Sequence, residues 1–218
     1  GPWRSVILEA IGRGMDVMSG LHEFLNDDPE FSAAARLNGV RLIDVRRNAE
    51  REIARRTGLR DECLRIHTVG HDCSVGKMVT AIEICNELKK RGKDAKFVAT
   101  GQTGIMVEGD GCPVDCVVAD FVSGAAERLV LENQHHEILL IEGQGSLVHP
   151  SYSAVTLGLL HGCLPHGLVL CYQIGRETVT SIPHMPIPDL AQIRRLNEAM
   201  ASTAQPCEVI GIAVNSSA

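Results

Sequence analysis

From residue 63 onward, short apolar runs alternate with stretches whose apolar residues recur at helical spacing. Runs at 63–69, 95–99, 137–141, 168–172 and 208–214 read as strands, and Val114 to Val118 reads as a further one. Between them, Met78, Ala81, Ile82, Cys85 and Leu88 line one face of a helix from Lys77 to Arg91 that Gly92 ends. Helices are also predicted over 121–133, 154–160 and 188–201, with Gly-rich loops at 100–112 and 142–145. Alternation of this kind predicts an α/β fold, a parallel sheet with helices on both faces.

The first 61 residues read as the tail of a separate α/β domain. Residues 3–13 form a helix, 16–20 a short strand or turn, and 41–45 a strand. Asp28-Pro29 starts a helix, with Asp as the cap and Pro in the first turn, and Asn38-Gly39 ends it. Residues 46–61 hold nine Arg or acidic side chains and read as a connection. The expected division is therefore 1–61 and 62–218. The chain opens inside an amphipathic segment without an initiator Met and closes just after a β-rich run, so a longer native chain is expected.

Composition narrows the class. With 44% hydrophobic and 22% charged residues, the chain reads as a soluble globular protein, and at 3% aromatics its core must be aliphatic. A net charge of -6 argues against a nucleic-acid-binding face. No apolar run approaches the ~20 residues that span a bilayer, and the opening residues show no signal-peptide pattern. Several of the eight Cys, among them Cys85, Cys163 and Cys171, sit in apolar runs. A reduced, cytoplasmic protein is the expectation. Cys112 and Cys116 lack a second pair at zinc-site spacing, so no metal is assigned. The expected partners are a small-molecule substrate and further copies in a homo-oligomer.

The strongest chemical signal is Gly70-His71-Asp72-Cys73-Ser74-Val75-Gly76-Lys77, between a strand and an amphipathic helix. Such a P-loop aims free backbone amides and the positive end of a helix dipole at one point, which suits phosphate. Lys77 adds a point charge for the outer oxygens. Five residues separate Gly70 from Gly76, one more than in the common motif, and Met78 stands where a magnesium-binding hydroxyl would be. Thr80 lies two residues further on.

Glu142 follows the apolar run Ile138 to Ile141, at the strand edge where open α/β sheets bind ligands. It is a candidate general base or magnesium ligand. Thr100, Gly101, Gln102 and Thr103 follow another strand and offer a polar wall for substrate. Arg176 follows Gln173-Ile174-Gly175 and could clamp a carboxylate. His149 is a rival base near Glu142 in sequence. His22 and His161 are weaker candidates, and His135-His136, Asp120 and Glu127 read as helix-end or helix-surface residues.

The P-loop, Ile141-Glu142-Gly143-Gln144-Gly145, Ala99-Thr100-Gly101 and the strand Gly211 to Asn215 resemble dethiobiotin synthetases over 63–215. A closer resemblance is to the DgcN-type D-glutamate N-acetyltransferase family. It is carried by Gly70 to Thr80, Thr100 to Gly104, Ala119 to Glu127, Ile141 to Pro150 and Val17 to Leu25, nearly the whole chain. That resemblance implies a Rossmann-like domain before the P-loop domain, with this chain truncated at one or both ends. It implies acetyl transfer from acetyl-CoA to the amino group of a D-amino acid such as D-glutamate.

Two chemistries follow. In the first, Gly70, Asp72, Cys73, Ser74, Val75, Gly76, Lys77, Met78, Thr80 and Asn215 hold the coenzyme. Glu142, with His149 as rival, is the base, and Thr100 to Thr103 or Arg176 hold the acceptor. The second is ATP-dependent activation of a carboxylate or carbamate, with Lys77 on the phosphoryl group and Asp72, Thr80 and Glu142 holding magnesium. A ligand-binding module without chemistry is the third reading.

Overall fold

A computed structural model describes residues 2–216; residues 1, 217 and 218, at the outer ends of the two expected domains, lie outside the described residues. The chain divides into two compact units, Gly1–Ala49 and Glu50–Ala218. In the first, helix α1 (Pro2–Gly12) is followed by strand β1 (Val17–Ser19), helix α2 (Pro29–Asn38) and strand β2 (Leu42–Asp44), with β1 and β2 parallel. Local chemistry sets α2. The Asp28 side chain accepts from the amides of Glu30 and Phe31, Pro29 occupies the first turn, and Gly39 leaves the helix at φ 65°. Ile11, Leu25 and Phe31 form this unit's core.

The second unit holds strand β3 (Leu64–Gly70), helix α3 (Lys77–Lys90), strand β4 (Ala95–Val98), helix α4 (Gln102–Glu108) and helix α5 (Val122–Asn133). Strand β5 (Ile138–Ile141), helix α6 (Ser153–Cys163), strand β6 (Gly167–Gln173), strands β7 (Thr178–Val179) and β8 (Ile182–Pro186), helix α7 (Leu190–Ala201) and strand β9 (Glu208–Asn215) complete it. Five strands form one sheet in the order β4-β5-β3-β6-β9, every pair parallel. Alternation within β5 sorts the core. Leu140 packs with α3 residues Ala81 and Cys85. Leu139 and Ile141 pack with Ala125, Leu129 and Leu159 of α5 and α6. Leu160 and Ile193 bring α6 and α7 against β6. Helices thus cover both faces, as the hydrophobic pattern predicted.

Three elements differ from the sequence reading. Residues 114–116 form a 3-10 turn instead of a strand, so the sheet has five strands instead of six. The expected loop at 100–112 contains α4. An antiparallel hairpin, β7–β8, lies between β6 and α7, where the sequence showed no element. The charged segment after Ala49 is tied to α5: the Glu127 carboxylate, buried, accepts from the amides of Arg55 and Arg56, and Arg128 pairs with Glu50. Those bonds place 50–61 with the second unit. No described helix is long and apolar enough to cross a membrane.

Candidate active site at the carboxyl edge of the sheet

The strand order places β3 at the centre of the sheet, with β5 on one side and β6 on the other. The connection after β3 runs past β5 to β4, and the one after β5 runs past β3 to β6, so the carboxyl ends of these two neighbouring strands form the expected ligand crevice. The loop at Gly70 begins there and α3 starts at Lys77. Gly76 adopts φ 99°, a left-handed conformation that favours glycine, and caps α3 without a side-chain acceptor. The first-turn amides therefore have no capping partner and remain available to an anion.

Lys77 is nearly buried, and its Nζ donates to the Asp72 carbonyl at 2.8 Å. Burial pushes its pKa down, with Cys73, Cys171 and Asp72 opposing the fall. A cation confined this way gains most from an anion that enters beside it. Met78 turns into the α3 core, against the Ala81 and Cys85 cluster. Val75, Gly76, Thr80 and Asn215 come together, with Val79, Ala213 and Val214, around a cleft of about 290 Å³ beside the loop. Ser74 is exposed at φ 54°.

Asp72 is fully buried and saturated with donors. One oxygen accepts from the Cys73 amide at 2.8 Å. The other accepts from the Thr180 amide at 2.8 Å, the Thr180 hydroxyl at 2.6 Å and Arg176 Nη1 at 3.1 Å. Burial alone would raise this carboxyl, but the bonds from Thr180, Cys73 and Arg176 outweigh it and hold it below the usual range. Arg176 also donates to the Cys73 carbonyl at 2.6 Å, to the Thr180 hydroxyl and to Gln173. It stands as a brace of the P-loop, where the sequence suggested a clamp open to substrate.

Glu142 sits at the end of β5, 3% exposed. Its Oε2 accepts from the amides of Thr100 at 2.8 Å and Gly101 at 3.0 Å, which open the turn into α4. Burial raises its pKa, and the two amides, Gln144 and Lys77 oppose the rise. Gly143 follows because nothing larger fits: a Cβ there would lie 1.8 Å from the Thr68 carbonyl oxygen. The Thr100 hydroxyl is spent on the Glu142 carbonyl, so of the expected polar wall Gln102 and Thr103, in the first turn of α4, are not engaged with Glu142.

His149 is buried, with Ser151 N–H donating to Nδ1 and Nε2 facing the Thr180 carbonyl at 3.2 Å. Both ring nitrogens are thereby engaged. Ligand-type atoms of Asp72, Cys73 and His149 lie within 4.8 Å of one another, but the Arg176 and Lys77 charges beside them oppose an added cation. Of the residues named for magnesium in the ATP reading, Asp72 accepts from Thr180 and Arg176, Thr80 lines the cleft, and Glu142 accepts from the Thr100 and Gly101 amides. The sequence reading did not assign a role to Gln144, though it lies in the Gly-rich segment after β5, and it missed Thr180 and Thr68, which nothing local marks; the Thr68 hydroxyl accepts from the Gly143 amide at 2.9 Å. His22 belongs to the other unit, and His161 lies on α6.

A family model described as a domain of unknown function, DUF1611, P-loop domain, matches residues 50–218, and its Rossmann-like N-terminal companion matches 1–48. The chain is 42% identical to a curated protein of Tritonibacter scottomollicae named D-glutamate N-acetyltransferase, over 98% of this chain and 64% of that protein. It is 40% identical to one of the same name from a Pseudoalteromonas species, over 99% of this chain and 65% of that protein. The chain thus spans about two thirds of the length of the relatives it matches. A crystal structure of a DUF1611 family protein from Anabaena variabilis superposes with a TM-score of 0.92 at 39% identity, covering 99% of this chain and 64% of that one.

Proposed function

Since the chain belongs to the DUF1611 family, with a P-loop domain after a Rossmann-like one, we propose that it is the greater part of an N-acetyltransferase that moves an acetyl group from acetyl-CoA to the amino group of D-glutamate. The observation that carries this reading is the near-full-length likeness to two proteins of that name. In it, the P-loop amides and Lys77 hold phosphates of the coenzyme, and the cleft between α3 and β9, ending at Asn215, takes the adenosine. No catalytic magnesium is needed, which agrees with Met78 being a core residue.

Acetyl transfer needs a neutral amine. The acceptor ammonium gives a proton to a base, its nitrogen attacks the thioester carbonyl carbon, and the carbon–sulfur bond breaks as the second proton lost from nitrogen passes to the leaving thiolate, releasing the coenzyme thiol. Glu142 is the base in this reading. Its burial raises the pKa toward the range where a carboxylate can accept that proton. His149 is the poorer choice, both nitrogens being hydrogen-bonded.

Thermal unfolding with acetyl-CoA, coenzyme A, or ATP with magnesium tests the assignment. A ligand at a hundred times its dissociation constant adds about 2.7 kcal/mol. Stabilisation by both coenzyme forms is expected; stabilisation by ATP–magnesium alone would overturn the reading.

A further inference from the structure

Three loops from the carboxyl edge meet at one residue that carries no catalytic group. Thr180 sits at the turn of the β7–β8 hairpin, next to Ser181 at φ 64°. Its amide and hydroxyl both donate to Asp72 Oδ2, at 2.8 and 2.6 Å, and its hydroxyl accepts from Arg176 at 2.8 Å. Its carbonyl faces His149 Nε2 at 3.2 Å. Asp72 in turn holds the Cys73 amide, and Arg176 holds the Cys73 carbonyl. The peptide groups that shape the phosphate loop are therefore fixed by a hairpin 108 residues further along the chain.

We propose that Thr180 is the positioning residue of the phosphate loop, and that the β7–β8 hairpin is a strap that holds the loop in its anion-binding conformation. Asp72 is the connecting piece. Its carboxylate is buried and needs every donor it has, so loss of the Thr180 hydroxyl leaves a charged oxygen short of one bond and frees Arg176 to move. The amides of 71–76 then lose the conformation that aims them at one point. Only the binding arm of the test below rests on the P-loop as the coenzyme site.

The experiment compares wild type, Thr180→Val and Thr180→Ser by amide hydrogen exchange without ligand, and by titration with coenzyme A. Valine keeps the shape and the amide while deleting the hydroxyl. Expected for Thr180→Val is exchange faster by about tenfold or more, the usual scale for one hydrogen bond to a charge, at the His71 and Cys73 amides, which donate to the Cys171 carbonyl and to Asp72, with 138–141 unchanged. Coenzyme A binding weakens by about the same factor, and Thr180→Ser restores both. Unchanged exchange at His71 and Cys73 in Thr180→Val overturns the proposal, as does a uniform rise through the whole second unit. If wild type and Lys77→Ala bind coenzyme A equally, the coenzyme reading of the loop fails while the exchange result still decides the role of Thr180.

Discussion

His67 lies in the middle of β3, between Ile141 of β5 and Leu168 of β6, with no exposed surface. Neither ring nitrogen has a hydrogen-bond partner among the described residues. Burial pushes its pKa down from 6.5 to about 4; the Ile141 carbonyl opposes the fall and Lys77 adds to it. The native imidazole is neutral, so between 6.5 and 4 the unfolded chain takes up a proton that the native chain refuses. Stability from this group is unaffected above that window and falls as pH falls through it. At 1.36 kcal/mol per pH unit the full loss is about 3 kcal/mol, of which about 2.5 kcal/mol is reached by about pH 4.5. His67→Leu removes the titration without removing a hydrogen bond. Urea unfolding of wild type and variant at about pH 7 and about pH 4.5 should show wild type losing about 2.5 kcal/mol more than the variant over that interval. Other titrating groups are common to both proteins and cancel in the difference. Parallel losses in the two proteins would refute the argument that His67 is held neutral.

Gly143→Ala sets a Cβ against a backbone carbonyl that cannot rotate away, so it should cost about 1–3 kcal/mol or more of stability in the same unfolding assay. Lys77→Ala should weaken coenzyme A binding more than tenfold, read by titration, while far-ultraviolet dichroism stays as in wild type. Glu142→Gln should lower turnover by about a hundredfold or more, with coenzyme A affinity within about threefold; wild-type turnover would make Glu142 a strut for α4 alone. Glu127→Ala removes the acceptor for the Arg55 and Arg56 amides, and limited trypsin digestion should then cut within 51–60 faster than in wild type.

Much of the fold was legible because its signals are local. The Asp28 cap with Pro29, the left-handed Gly39 and the alternating strands and helices after residue 63 each act over a few residues. The P-loop and Glu142 were legible because a strand end is written in the sequence as the end of an apolar run. Helix α4 was hidden because Gly101 and Gly104 read as a loop. The amides of Thr100 and Gly101, just ahead of its first turn, are held by Glu142, 42 and 41 residues away. The β7–β8 hairpin was hidden because its turn puts Ser181, not glycine, at positive φ.

By itself the sequence determined five sheet strands and most of the helices between them, the P-loop segment and the carboxylate at the end of β5, since periodicity and capping depend only on neighbours along the chain. Which polar groups stay available to a ligand was decided by tertiary structure. Asp72 and Arg176 both looked ready for ligand; the strand order brings them within 3.1 Å across 104 residues and joins them to Thr180. A buried carboxylate takes the donors that the fold places beside it, and no local pattern records which ones those are.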